Sequence, residues 1–344
     1  MSSPPVSIII PHFNGETILT DCLTSLSMTE YSPFEIILVD NGSTDQSVNL
    51  VKKKFPAVRV IQNKSNLGYA GGCNAGLQAS TAKYAVLLNN DTVQEPDWLR
   101  NLVDEAEKTT TAGAWMPKLL YIKDHQIFDY SGAAGGLIDI FGYPFAYGRL
   151  FFTVETDSGQ YDHQQKIFWA SGTCCMLRRD LIEKTGPLDE SFFAHMEEID
   201  LNWRLHLLGY DSIVVPRSIV YHYSGGTLSA GSYKKHYLNH RNNLMMLLKN
   251  YSAVTLCWIL PPRLMFELAT LVFSLVKLDW NRTKALFSAW SWLIRNWGLI
   301  QTNRKKVQQI RQVSDRQIFQ SMFRGSIVWQ HYVLRKKFVS KFLN

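Results

Sequence analysis

The 344-residue sequence is poor in patterned cysteine: Cys22, Cys73, Cys174, Cys175 and Cys257 are odd in number and show neither C-x-x-C nor metal-ligand spacing. This argues against a disulfide framework or zinc module and implies reduced thiols in a cytoplasmic protein. The opening MSSPPVSIII has no basic segment before its apolar run, which stops at Pro11, so it fails as a secretory leader and reads as a first buried strand. That strand runs into PHFNG instead of a G-x-G-x-x-G turn, which disfavours a dinucleotide-dependent dehydrogenase. The C-terminal third lacks an uninterrupted apolar run long enough to cross a bilayer; Ser252–Val276 comes nearest, but Pro261, Pro262, Arg263 and Glu267 fall inside it. Acidic charge is scarcest there as well. From Thr227 onward 19 Lys/Arg stand against 3 Asp/Glu, a balance of +16, which leaves −9 for residues 1–226.

What is present is an apolar fraction of 46%, enough to bury a large core. Val6–Pro11, Phe34–Asp40, Val58–Gln62 and Tyr84–Asn89 are short runs rich in Val, Ile and Leu, the composition of buried strands in a helix-covered sheet. Between them, Glu16–Ser27 puts Ile18, Leu19, Cys22, Leu23 and Leu26 on one helical face, and Asp45–Phe55 repeats the pattern with Val48 and Val51. Right-handed crossovers then predict an α/β fold with a doubly wound, mostly parallel sheet and its ligand beyond the carboxyl ends of the strands. Residues 113–170, rich in Gly, Tyr and Phe, show no clear period and read as loops and short strands. Asp189–Leu208 reads as helix, Gly209 as its stop and Ser212–Val215 as a last short strand before Pro216. The chain therefore divides into a catalytic-type body, 1–226, and a basic, Trp-rich helical region, 227–344, with the boundary near Gly225–Gly231.

Several segments could carry chemistry. Asp40, in VDNGSTD, stands at a strand's carboxyl end, where a carboxylate can bind a ribose or base, whereas Asp45 reads as an Asx-turn and helix cap. NLGYAGGCNAG, residues 66–76, holds four glycines and two asparagines before a helical stretch; such small residues let backbone N–H groups approach a phosphate, though a simple turn explains them equally well. In LLNNDT a buried strand ends in Asn89, Asn90 and Asp91, and Asp91 could hold Mg²⁺ or Mn²⁺ against phosphate oxygens; a capped helix start is the bland account. His195-Met196-Glu197-Glu198-Ile199-Asp200 places three acids at a helix start, more than the helix dipole requires, and one of them could accept a proton from an attacking hydroxyl. His222 lies between two tyrosines and on its own is more often structural than a ligand.

In the tail, Trp280–Ile300 carries Trp290, Trp292, Leu293 and Trp297 beside Arg282, Lys284 and Arg295, the composition of a helix lying in a lipid interface. Packing on the body or on a second copy of the chain is the other reading. A basic tail on an acidic body calls for an anionic partner surface, phospholipid or nucleic acid.

VSIIIPHFNG, VDNGSTD, NLGYAGGCN, LLNNDT, WASGTCCMLRR, FFAHMEEIDLNWRLHLLGY and YHYSGG together resemble, in order and spacing, the inverting family 2 glycosyltransferases with the GT-A fold, over about residues 5–226. The resemblance implies that Pro11, Asn14, Asp40, Asn41, Asn66, Gly68, Asn74, Asn89, Asn90, Ser171 and Gly172 line a nucleotide-sugar pocket. It also implies that Asp91 and His222 hold Mg²⁺ or Mn²⁺. Asn89 replaces the first aspartate of the family's D-x-D motif. Glu197-Glu198 falls at the family's Glu-Asp pair, with Glu198 as the base and Glu197 sharing or taking that role. Asp200 and Arg204 are expected to brace the helix.

The activity implied is metal-dependent, inverting transfer of a sugar from a nucleotide-diphosphate donor, dTDP-rhamnose or a UDP-sugar, onto a hydroxyl of a glycan or polyprenyl-diphosphate-linked acceptor. The tail resembles that of bacterial rhamnosyltransferases of cell-surface polysaccharide synthesis. It implies a peripheral enzyme on the inner face of the cell membrane, with an anionic membrane surface as partner, no nucleic acid, and a possible homo-oligomer. A processive polysaccharide synthase, which would need membrane spans and a Q-x-x-R-W segment, and a non-catalytic membrane- or nucleic-acid-binding protein are the alternatives.

Overall fold

In the computed structural model, which describes residues 3–223 and 231–343, the predicted βαβαβ start is present. β1 (Val6–His12), α1 (Glu16–Leu26), β2 (Phe34–Asp40), α2 (Ser47–Lys54) and β3 (Arg59–Gln62) lie within two residues of the expected bounds. β1 pairs in parallel with β2, and β2 with β3. Every residue of β1 is buried, as the unbroken apolar run requires, because helices cover both faces of a parallel sheet.

The glycine-rich segment differs from its expected form. Residues 68–79 are themselves a helix, α3 (Gly68–Ala79), and two of its glycines, Gly72 and Gly76, face the sheet, while Gly68 lies against Phe193. A Cβ at Gly76 would stand 2.2 Å from Cγ2 of Ile9, and one at Gly72 would stand 2.7 Å from Nδ2 of Asn41. The glycines therefore let α3 approach β1 and β2 more closely than any side chain allows.

β4 (Tyr84–Leu88) adds in parallel to β1, and β5 (Thr92–Gln94) and α4 (Trp98–Lys108) follow. The segment expected to be irregular contains a ten-residue buried strand, β6 (Ala112–Tyr121), then the short strands β7 (Asp124–Phe128), β8 (Gly136–Ile138), β9 (Pro144–Ala146), β10 (Arg149–Leu150), β11 (Thr153–Val154) and β12 (Gln165–Ile167). β8 to β11 form a separate four-stranded antiparallel sheet. β13 (Cys174–Arg178) inserts antiparallel between β4 and β6, and α5 (Arg179–Thr185) and α6 (Glu197–Leu207) lead into β14 (Asp211–His222). β14 continues through Pro216, past the stop expected at Val215, because a register shift between Val215 and Ile219 takes the proline out of the ladder with β6. The main sheet runs β12-β14-β6-β13-β4-β1-β2-β3, and β1 to β4, β6 and β14 all point their carboxyl ends the same way.

The C-terminal helices are α7 (Tyr233–Asn250), α8 (Ala253–Val276), α9 (Trp280–Arg295), α10 (Trp297–Ile310) and the single turn α11 (Asp315–Ile318). The boundary expected near Gly225–Gly231 falls on residues 224–230, outside the described residues. The helices are bonded into the body: Phe168 and Trp203 share one core with Leu244, Leu247 and Ile300. The buried Lys249 of α7 pairs with Asp189 and, at 3.1 Å, with Asp200 of α6. Two expectations for this region change. α8 runs unbroken for 24 residues through Pro261 and Pro262 and is long and apolar enough to cross a membrane by length and composition. Trp280–Ile300 is two helices, and Trp290 and Trp292 turn toward the protein: Trp290 Nε1 donates to Glu267 at 3.4 Å, and Arg241 stacks 4.7 Å from the Trp292 ring.

Candidate active site

The expected site residues gather at the carboxyl edge of the sheet. Asp40 ends β2, buried, its Oδ1 accepting from the Ser43 N–H (2.9 Å) and its Oδ2 from Gln62 Nε2 (3.4 Å). Pro11 lies in β1, and Asn14, in the left-handed region at φ 56°, ties the β1 and β2 loops together. Its N–H donates to Ser43 Oγ (2.9 Å) and its Oδ1 accepts from Thr44 N–H (2.8 Å). Asn41 donates to the Gly68 carbonyl (3.1 Å) and accepts from Asn63 (2.9 Å).

At α3 the first-turn donors are already engaged within the chain. Gly68 N–H goes to Asn66 Oδ1 (2.9 Å), and Tyr69 and Ala70 N–H both go to the Phe193 carbonyl (2.8 and 3.4 Å). Asn74 exchanges hydrogen bonds with the Leu188 backbone (2.8 and 3.0 Å) and donates to Glu190 (2.9 Å), so its side chain braces the segment leading to the acids.

Past β4, Asn89 N–H donates to the Thr173 carbonyl and Asn90 Nδ2 lies 2.7 Å from His12 Nδ1. Asp91 meets His222, from the end of β14, with Oδ1 and Nε2 3.1 Å apart, and Tyr223 N–H donates to the Asp91 carbonyl (3.0 Å). The Nδ1 of His222 lies 3.0 Å from Oδ1 of the fully buried Asp129. Burial acts to lower the pKa of this imidazole, but the carboxylates of Asp129 and Asp91 outweigh it and carry it up to about 10. Asp129 is a site residue that the sequence does not mark; in DHQIFDYSG it stands four residues from His125, and nothing in that spacing ties it to His222 or Asp91.

The Glu pair opens α6 after a strained approach: Phe193, His195 and Met196 all have positive φ (65°, 70° and 74°). Phe193, at ψ −58°, is the centre of a γ-turn closed by the Ala194 N–H on the Phe192 carbonyl (2.8 Å). Such strain persists only where surroundings enforce it. Here Asn242 of α7 does so, donating to the carbonyls of Phe192, Ala194 and His195 (3.1, 2.9 and 2.7 Å). Glu197 is 4% exposed and Glu198 is half-buried, and one carboxylate oxygen of each has no partner among the described residues. Burial raises both carboxyls, and Glu198 raises Glu197 further.

Asn202 of α6 joins the Glu198 carbonyl (2.8 Å) to the Ala170 N–H (3.2 Å), and Thr173, three residues further on, accepts from the Asn89 N–H (2.9 Å), so the acids stand near the end of β4 from which Asp91 emerges. Ser171 donates to the Ser131 carbonyl, and Gly172 accepts from Tyr69 Oη (2.5 Å). Asn202, also unmarked in sequence, thus fixes this loop to α6. Asp200 and Arg204 do brace the helix, at 3.0 Å.

The parallel β3-β2-β1-β4 half, its mixed extension and a polar cluster along the carboxyl edge are the architecture of the GT-A glycosyltransferases. Solved structures agree in fold: GalNAc-T7 with UDP, GalNAc and Mn²⁺ superposes with TM-score 0.58 at 17% identity, covering 72% of this chain and 48% of that one. The mannosyltransferase PcManGT of Pyrobaculum calidifontis, in complex with GDP-Man and Mn²⁺, gives 0.52 at 15%, covering 89% and 86%.

Residues 7–186 match the model of glycosyl transferase family 2, and the chain belongs to that family. The match includes Asp40 and Asp91 and ends before Glu197, Glu198 and His222. The N-acetylglucosaminyl-diphospho-decaprenol L-rhamnosyltransferase of Mycobacterium tuberculosis is 27% identical over 249 residues, 67% of this chain and 80% of the relative. The O-antigen biosynthesis protein RfbC of Myxococcus xanthus is 26% identical over 233 residues, 66% of this chain but 18% of that protein.

Proposed function

We propose that the chain is an inverting, metal-dependent glycosyltransferase that moves a sugar, rhamnose or another hexose, from a nucleotide-diphosphate donor to a hydroxyl of a glycan or prenyl-diphosphate-linked acceptor. It would act in cell-surface polysaccharide synthesis, at the inner face of the membrane. The observation that carries the reading is the approach of Asp91 to His222 at the strand end near which the Glu pair stands. Asp40, Asn14 and Asn41 line the edge where a nucleoside would lie.

Asp91, with His222 once its imidazole has released the Nε2 proton, would hold a hard divalent cation, Mg²⁺ or Mn²⁺, that takes its remaining ligands from the diphosphate and water, because such ions are commonly bound through one or two protein groups plus substrate phosphates. Held there, the cation supplies positive charge to the departing nucleotide diphosphate. The carboxylate of Asp129 orients the His222 ring through Nδ1 and leaves Nε2 directed at Asp91.

Glu198 is the base. It is the more open of the two acids, and its unpartnered oxygen can take the acceptor's proton as the acceptor oxygen displaces the nucleotide from the opposite face of the sugar. Glu197, closed in beside Tyr69 and Cys73, has its own carboxyl raised by burial and by the charge of Glu198, so it is the acid of the pair that keeps its proton while Glu198 ionises. No covalent sugar–enzyme bond is needed. The test is paired. Glu198→Gln abolishes transfer while leaving Mn²⁺-dependent binding of a nucleoside diphosphate intact, and Asp91→Ala abolishes both. Full transfer by either variant, or full nucleotide binding in excess chelator, overturns the assignment.

A further inference from the structure

Among the described residues, one cation beside this site has no counter-ion. Arg149, on β10, is 7% exposed, and its Nε has no partner there. Its guanidinium reaches the Phe151 carbonyl through a long hydrogen bond of 3.5 Å and interacts with the Tyr130 hydroxyl, and neither partner is an ionised acid at neutral pH. The nearest acid acting on it, Asp129, is already engaged with His222. Residues 224–230, Ser-Gly-Gly-Thr-Leu-Ser-Ala, carry no acidic side chain that could serve. Leaving a guanidinium buried and uncompensated is costly, by several kcal/mol in order of magnitude, so a buried arginine of this kind calls for an anionic ligand.

A second cation converges on the same place. The Arg149 guanidinium stacks 4.9 Å from the Tyr130 ring, and Lys235 Nζ, in the first turn of α7, stands 6.0 Å from that ring. Lys235 also acts electrostatically on His195, whose buried Nε2, three residues before Glu198, has no partner among the described residues. Lys234 lies 4.7 Å from the Phe193 ring in the strained approach to the acids. This basic corner adjoins Asp129 and the Glu pair and lies on the side of α7, away from the β1 and β2 ends.

What adjoins the corner on its outer side is apolar. Asn281 donates to the Gly231 carbonyl (3.4 Å), which brings the start of α9 and the end of α8 against the start of α7. There Val276, Leu278 and Trp280 are exposed by 75%, 67% and 57%.

We propose that Arg149 and Lys235 bind the diphosphate of a prenyl-diphosphate-linked acceptor, with the prenyl chain leaving over Val276, Leu278 and Trp280 and the sugar hydroxyl reaching Glu198. This rests on the glycosyltransferase reading above and assigns that site its acceptor class. The shared chemistry, a diphosphate, could also come from the donor nucleotide, and the two sources separate experimentally.

The experiment is titration of farnesyl diphosphate into the full chain with Mn²⁺ and a saturating nucleoside diphosphate. Binding persists in the wild type and weakens by about tenfold in Arg149→Gln and in Lys235→Gln, the scale of removing a single charge-assisted hydrogen bond. Nucleoside diphosphate affinity and the Tm of Lys235→Gln stay at wild-type values. Lys235 is only half-buried, so its variant decides the matter should Arg149→Gln unfold. Unchanged farnesyl diphosphate affinity in Lys235→Gln overturns the proposal, and so does loss of wild-type binding once the nucleotide saturates, which would make the site the donor's. A wild type that binds nucleoside diphosphate but no farnesyl diphosphate sinks this inference alone. One that binds neither sinks the function itself.

Discussion

At the scale of single residues, function and stability oppose each other at Glu198. Burial lifts its pKa to about 7, above the ordinary value of 4.5, so the folded protein holds a proton there that the unfolded chain releases. A group raised in this way contributes stability that is complete below its unfolded pKa and is lost as pH rises through the folded one. In chelator, the wild-type Tm therefore falls between about pH 4.5 and pH 7 more steeply than that of Glu198→Gln, whose neutral amide cannot titrate. The same titration makes the free base available, so transfer rises with pH across about 7 while stability declines. Parallel Tm curves for the two proteins would remove Glu198 from the titration. At the other end of the site, Asp129 fixes the orientation of His222 without itself facing Asp91. Asp129→Asn is expected to weaken Mn²⁺ affinity by roughly 10–100-fold, the range for an outer carboxylate on a ligating histidine. Titration of Mn²⁺ in the presence of nucleoside diphosphate reads this directly, and an unchanged affinity would confine Asp129 to packing.

At the scale of elements, α3 explains itself through its distances to the sheet. Gly76→Ala would force a methyl group to 2.2 Å from Ile9 in a strand with no exposed residue, and overpacking of this kind costs about 1–3 kcal/mol. The variant's Tm should fall accordingly. Gly298→Ala, on α10 with nothing near its Cβ position, should match or exceed the wild type. Equal effects in the two would mean that α3 does not sit this close to β1.

The contrast shows what the sequence can disclose. Strands β1, β2 and β4 are legible because each holds an unbroken apolar run that burial within the sheet explains, whereas β3 is an edge strand with Arg59 and Gln62 exposed and is marked by little more than Val60 and Ile61. The glycines of residues 68–76 are visible but ambiguous, since close approach to a phosphate and close approach to a strand demand the same residue. β6 is hidden for a different reason: Gly113, Pro117 and Lys118 lie within it, and only pairing with β13 and β14, distant in sequence, overrides their poor strand propensity. Of the site, Asp91 and the Glu pair stand out from local clustering, and His222 only through the family resemblance. Asp129, Asn202 and Arg149 do not, because each acts through a partner from another part of the chain.

At the scale of the molecule, α8 decides how the protein meets its surroundings. The helix is apolar enough to span a bilayer, yet its buried stripe contains Arg263 and Glu267, paired at 2.6 Å and bonded to Asn243 and His240 of α7. A helix that turns its one charged pair to the protein and leaves Leu264, Met265, Leu268 and Val272 49–69% exposed has an anchored side and an open apolar side. Water is a poor environment for that open side, each such side chain gaining about 1.5–3 kcal/mol on full burial. The surrounding tail carries a +16 charge, which would favour anionic headgroups. The face we propose for contact with lipid is thus α8 with Trp280 and Trp297, while Trp290 and Trp292 pack toward the interior. The full chain is expected to co-sediment with vesicles of anionic phospholipid, with part of the binding surviving high salt because only the electrostatic share is screened. Met265→Glu with Val272→Glu should release it, leaving nucleoside diphosphate binding intact because neither side chain approaches the sheet edge. Retention of that double variant on the vesicles would move the membrane contact off α8, and a concentration-dependent doubling of mass in wild type that is absent from the variant would make the open face a contact between two copies of the chain.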